Sequence, residues 1–124
     1  MFSFMSLEMD LSKTGYEMFF KDWQVESLRY LWRVQPGGAN SRAVWLNVNE
    51  SLRGSISRAS IINYLNDMVD EGLLTYTETT GKGGYQRVYT IKYGETEFKQ
   101  HIAGLIISKL LKEYPQETRK ALQY

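Results

Sequence analysis

The sequence predicts an α+β chain, mostly α, in which three helices precede a β-hairpin and one long helix follows it. Three observations in the 124 residues carry this reading. Ser57 to Tyr93 reads as a capped helix, a glycine stop and two strand-like runs around a glycine-rich turn. Two shorter amphipathic stretches lie before it, and one long apolar helical stretch lies after it.

In order along the chain, residues 1–20 alternate loosely through Phe2, Phe4, Leu7, Met9 and Leu11, then give Tyr16, Met18, Phe19 and Phe20. So much apolar surface is not left in water. It forms an arm laid either on the domain's own core or on a second subunit. Asp22 is the expected N-cap of a first helix reaching about Arg33, with Trp23, Leu28, Leu31 and Trp32 as its stripe. Pro36-Gly37-Gly38 breaks it. Ser41 is expected to cap a second helix to about Leu52, with Val44, Trp45, Val48 and Leu52 on one face and Arg53-Gly54 as its end. Gly54-Ser55-Ile56 is a candidate short strand pairing with the later hairpin.

Ser57 caps the third helix by accepting from an orphan first-turn N–H. Ile61, Ile62, Leu65, Met68 and Val69 gather on its core side. Gly72 sits where positive φ ends a helix. Thr75–Thr80 and Arg87–Lys92 are rich in Thr, Tyr, Val and Ile and read as strands, with Gly81-Lys82-Gly83-Gly84 turning between them. A helix from Glu95 or Thr96 runs to about Tyr114, where Pro115 stops it. It carries two stripes: Phe98, Ile102 and Leu105, then Ile106, Ile107, Leu110, Leu111 and Tyr114. Together they cover more of the circumference than one packing surface requires, which predicts a helix shared with a second copy. Residues 116–124 form a short polar helical tail. The expected division is an apolar arm (1–20), a helical and hairpin domain (21–93) and a C-terminal dimerisation region (94–124).

Composition narrows the function classes. There are no cysteines, which excludes disulfides, thiolate zinc sites and cysteine nucleophiles and suits a reducing cytoplasm. No apolar run approaches the ~20 residues of a membrane helix. The start, MFSFMSLEMDL, lacks a basic n-region and makes a poor signal peptide. His101 is the only histidine, and no HExxH or GxSxG spacing appears, so no catalytic residue, metal ligand or cofactor is expected. GKGG lacks phosphate-loop spacing and leads into no helix. Trp23, Trp32 and Trp45 suit core packing better than an effector pocket. The net charge is only +1, so any nucleic-acid argument rests on where the charges sit.

Three helices followed by a hairpin wing are the parts of a winged helix-turn-helix, a DNA-binding module. The outer side of the third helix carries Ala59, Ser60, Asn63, Asn66, Asp67 and Asp70. Its first turns are small or hydrogen-bonding, with Arg58 beside them, and the acids come later. That gradient suits a helix entering the major groove by its N-terminal half. There Asn pairs with an adenine edge, Ser with base or phosphate, and Arg with guanine or phosphate. The helix N-terminus adds N–H donors toward a phosphate. Residues 41–93 hold six bases (Arg42, Arg53, Arg58, Lys82, Arg87, Lys92) against five acids, with the bases at helix ends and in the wing. The expected DNA-binding residues are Arg42, Ser57, Arg58, Ala59, Ser60, Asn63, Lys82, Tyr85 and Arg87. So few bases predict modest affinity per module, hence dimeric binding and a moderate salt slope.

DWQVESLRYLW resembles the first helix of the penicillinase-repressor and copper-transport-repressor family, and SRASIINYLNDMVDEGLL resembles its recognition helix and the turn into the wing. The long helix after the wing resembles its dimerisation region. The likeness spans about residues 20–114, and multiple-antibiotic-resistance-type regulators share much of the pattern. It implies a homodimeric repressor on a palindromic operator, with Arg58, Ser60 and Asn63 in the major groove and the Lys82 wing on the backbone. The sequence departs from the family in its N-terminal extension, in lacking the cysteine copper site, and in lacking the Asn-Phe dipeptide at which penicillinase repressors are cleaved. The inducing signal therefore does not carry over. The alternative reading is a winged-helix protein–protein interaction module without specific DNA binding, motivated by the near-neutral charge and apolar ends.

Overall fold

The structure, a computed structural model, describes residues 7–81 and 83–123. Expectations placed on Phe2, Phe4 and Lys82 lie outside the described residues. The chain divides into two compact units, Met1–Lys92 and Tyr93–Tyr124. In the first, a single 3-10 turn (Gly15–Met18) leads to α1 (Asp22–Arg33), β1 (Ala39–Asn40), α2 (Ser41–Leu52), α3 (Arg58–Asp70), β2 (Leu74–Gly81) and β3 (Gly84–Ile91). The second holds α4 (Glu95–Glu113) and α5 (Pro115–Ala121). The described chain is thus a mostly helical α+β fold with a winged-helix-like order of elements. Its three-stranded antiparallel sheet has β3 in the centre, in the order β1-β3-β2.

The starts of α1 and α2 each differ from expectation by one residue. Lys21, not Asp22, is the N-cap of α1, and its N–H donates to Gln24 Oε1 (2.8 Å). Asp22 is already helical, and its carboxylate accepts from the Trp23 N–H (2.7 Å), where an acid suits the positive helix end. Asn40, not Ser41, caps α2 by accepting from the Ala43 N–H (2.9 Å). Ser57 does cap α3, accepting from the Ser60 N–H (3.0 Å). Gly72 has φ +80°, and the chain leaves α3 through Leu73 N–H to Met68 O (2.9 Å) and Gly72 N–H to Val69 O (3.0 Å). At the end of α2, Arg53 takes the left-handed conformation at φ 50° without being glycine.

The third strand of the sheet is Ala39–Asn40, and residues 54–56 form none. The side chains of α2 consume the backbone groups that a strand there would need. The Ile56 N–H donates to Asn49 Oδ1 (2.8 Å), and the Ile56 carbonyl accepts from Trp45 Nε1 (2.8 Å) and Asn49 Nδ2 (3.1 Å). The Trp45 indole is thereby a strap across the α2–α3 connection. Gly38 lets β1 reach β3. It sits at φ +77°, and a Cβ there would lie 2.5 Å from the Tyr89 carbonyl oxygen.

The core of the first unit comprises Leu28 and Leu31 of α1, Val44 and Val48 of α2, Ile61, Leu65 and Met68 of α3, and Leu73 after it. Each such burial contributes about 1.5–3 kcal/mol before entropy. The α1 stripe is rotated from expectation: Val25 and Ser27 are buried, while Trp23 and Trp32 are half-buried. Ser27 is tolerated there because its hydroxyl donates to the Trp23 carbonyl (2.8 Å). On α3, Tyr64 joins the core, while Ile62 and Val69 are half-buried. Leu52 is exposed. From the apolar segment, Phe20 is buried edge-on against Tyr64 (6.2 Å), and Tyr16 lies by Trp32 (6.0 Å).

In the second unit, Phe98, Ile102 and Leu105 of α4 are buried. Ile107, Leu110 and Tyr114 are exposed, with Leu110 at 41% and Tyr114 at 59%. His101 stacks on Tyr93, with ring centroids 5.0 Å apart. Pro115 ends α4 and also occupies the first turn of α5, where its missing N–H costs nothing. Thr118 is buried and donates to the Leu110 carbonyl (3.0 Å), fastening the start of α5 to the end of α4. None of the described helices is long and apolar enough to cross a membrane.

Candidate nucleic-acid interface

The candidate face is built on the first half of α3. Ser57 fixes where the helix begins, and its hydroxyl lies 2.9 Å from that of Ser60. Helical spacing then sends Ile61, Tyr64, Leu65 and Met68 inward. The intervening positions face out: Arg58, Ala59 and Asn63 are exposed, and Ser60 is half-buried. Arg42, in the first turn of α2, is exposed as well. These are small, polar or cationic side chains with no bulk to hold another surface at a distance.

The far half of α3 differs. Asp67 and Asp70 are exposed there. Asp67 also lines a groove of about 730 Å³ between α3, the start of α1 and residues 8–20. Four further carboxylates (Glu8, Asp10, Glu17, Asp22) line it against Lys13 and Lys21. Asp10 is held below the usual carboxylate range by the Ser12 hydroxyl and N–H, so it keeps its charge (2.6 and 2.9 Å). A smaller hollow of about 230 Å³ continues along the helix between Asn63, Ser60, Tyr64, Trp23 and Gln24. Trp23 and Gln24 therefore border the α3 face. The sequence pattern marked Trp23 only as core and gave no signal for Gln24.

Tyr64 forms the floor of that hollow. It is 4% exposed, its ring meets Trp23 edge-on at 5.4 Å, and among the described residues its hydroxyl has no hydrogen-bond partner. Burial pushes its phenol pKa well above the ordinary 10.0.

The hairpin lies beside α3. Its two eight-residue strands pair in full register, from Leu74 with Ile91 to Gly81 with Gly84. Gly84 takes φ +95° where β3 begins, a conformation glycine adopts at no steric cost. Tyr85 is 83% exposed at the tip. Arg87 is placed otherwise than the tip residues. It is half-buried, its guanidinium lies 4.0 Å from the centre of the Tyr76 ring, and its Nη1 donates to Asn66 Oδ1 on α3 (2.9 Å). The Tyr89 hydroxyl donates to the same oxygen (2.6 Å). Burial raises the Tyr89 phenol pKa, and Arg87 only partly offsets this. Asn40 ties the hairpin to α2 by donating to Gln86 Oε1 (3.0 Å). Among the described residues, no group of three His, Cys, Asp or Glu side chains gathers as a metal site.

No family model matches the chain, and no curated protein does. Among solved structures, the fold is similar to "Possible transcriptional regulator from Methanosarcina mazei Go1", with 14% sequence identity and a TM-score of 0.56. The likeness covers 82% of this chain and 78% of that one. At that identity it speaks to the fold.

Proposed function

We propose that this chain is a transcriptional regulator that binds double-stranded DNA sequence-specifically, acting as a homodimeric repressor on a palindromic operator. The observation that carries the reading is the outward half of α3, where Arg58, Ala59 and Asn63 stand exposed next to a hairpin with an exposed tip. A helix of this kind enters the major groove by its first turns, and the hairpin reaches the backbone or the minor groove. The likeness to a possible transcriptional regulator supports the same reading.

In this arrangement Asn63 pairs with a base edge, and Arg58, Ser57 and Ser60 serve base or phosphate. Ala59 permits close approach. Arg42, Tyr85 and, from the sequence, Lys82 contact the backbone. The acidic groove at the other end of α3 repels phosphates, so a duplex approaches from the Arg58 side. Two copies join through the exposed Ile107 and Leu110 of α4 and Tyr114 just after it.

The test is binding of the purified chain to duplex DNA from the region upstream of its own coding sequence, titrated across salt. Specific binding that weakens with salt is expected, and Lys82→Ala should weaken all sequences about equally. Self-association without any salt-dependent DNA binding would instead support a protein-interaction module.

A further inference from the structure

We infer that Arg87 and Asn66 form a strut that sets the hairpin's attitude on α3, and that Arg87 is a positioning residue for DNA binding, not a phosphate contact. The inference rests on the proposed function only for its DNA-binding part. The strut itself is a statement about the fold and is tested apart from DNA.

The geometry is specific. Asn66 sits on the outer side of α3, half-buried, and its Oδ1 accepts from two residues of β3, Arg87 (2.9 Å) and Tyr89 (2.6 Å). An arginine can only donate, so the amide oxygen, not its nitrogen, must face the hairpin. On its other side, the guanidinium lies on the Tyr76 ring, 4.0 Å from the centroid. Tyr76 is on β2 and is the direct cross-strand partner of Tyr89. One arginine thus joins both wing strands to the middle of α3. Because β3 is the central strand, holding it holds the sheet.

Two consequences follow for recognition. Arg87 is held by both the Asn66 amide and the Tyr76 face, so its place is set by the fold before any duplex arrives. Asn66 has also spent its acceptor twice. A bidentate adenine contact needs one acceptor and one donor on the same amide. Asn63, one turn earlier and exposed, keeps that capacity, so Asn63 reads the base and Asn66 sets the wing.

The experiment uses the full chain with four variants: Asn66→Ala, Asn66→Asp, Arg87→Ala and Arg87→Lys. Without DNA, amide hydrogen exchange in β2 and β3 should quicken about tenfold in Asn66→Ala and Arg87→Ala, the scale of a lost hydrogen bond to a charged group. Asn66→Asp should exchange like wild type, because a carboxylate still accepts from both partners. Arg87→Lys should exchange quickly, having lost the planar stack on Tyr76.

On operator DNA, Asn66→Ala and Arg87→Ala should each weaken binding about tenfold. The double variant should be no weaker than either single one. The salt slope should be unchanged. A phosphate contact would behave otherwise: Arg87→Ala would flatten the log–log salt slope by about 0.9, and Arg87→Lys would bind like wild type. That pattern, or unchanged exchange in Asn66→Ala, overturns the strut. If the wild-type chain binds no duplex, the regulator reading falls, and exchange alone decides the strut.

Discussion

α3 and α4 each carry residues beyond what their buried stripes need, and the two sets differ in kind. Outside its stripe, the first half of α3 exposes Arg58, Ala59 and Asn63. The corresponding surplus on α4 is Ile107 and Leu110, followed by Tyr114. The hydrogen-bonding capacity on α3 loses nothing in water and gains only when a matching polar edge arrives. The aliphatic surface on α4 loses free energy as long as it is wet. The first therefore suits an intermittent, hydrated partner such as a nucleic-acid groove, and the second a standing partner such as another copy of the chain.

Substitutions sharpen this contrast. The largest effect is expected from Leu110→Glu, which sets a charge within the α4 apolar surface. It should raise the dimer dissociation constant at least about 30-fold, near 2 kcal/mol, in sedimentation equilibrium. An unchanged mass distribution would remove α4 from the interface. Next is Asn63→Ala, expected to cost about 1–3 kcal/mol of operator binding and to relax preference at one base pair, with no change in melting. Equal loss on all sequences would make Asn63 a backbone contact. Ser57→Ala should cost about 1 kcal/mol of folding stability by chemical denaturation, since it strips the cap from α3. A larger loss of DNA affinity than of stability would give the hydroxyl a contact role too.

The smallest effect is expected from Tyr64→Phe. Its buried hydroxyl has no partner among the described residues, so removing it should change stability at pH 7 by less than about 1 kcal/mol, in the favourable direction. The same substitution has a pH signature. Burial raises the folded-state value of this phenol above 10.0, so folding holds its proton. Its share of stability is intact below about pH 10 and drains as pH climbs toward the folded value. Denaturation followed above pH 10 should therefore decline less steeply in Tyr64→Phe. An identical decline would mean that the buried phenol never felt the titration.

What was legible beforehand divides along chain distance. The Ser57 cap, the Gly72 exit and both hairpin strands lie in local patterns, and each emerges within three residues of its expected place. The caps of α1 and α2 were displaced although Asp22 and Ser41 are good cap types: Gln24 reaches back to the Lys21 N–H, and Asn40 accepts from the Ala43 N–H. Strand β1 was invisible because two residues carry no periodicity. The false strand at 54–56 failed because nothing local reveals that Asn49 and Trp45 engage Ile56. Tyr64 was missed because an amphipathic ring fits either side of a helix until packing decides. The link between Asn66 and Arg87 spans 21 residues, and only the folded chain brings the two together.

Gly38 bears on how far damage spreads. Even a methyl group at this position would press on the Tyr89 carbonyl and wedge β1 off its neighbour. The first residue to be carried away would be Asn40, which holds the start of α2 with one end of its amide and Gln86 with the other. A lesion just ahead of α2 and far along the sequence from the hairpin would thus loosen both together. A screen for inactive variants should find position 38 as intolerant as the deepest leucines, although no bound molecule need ever touch it.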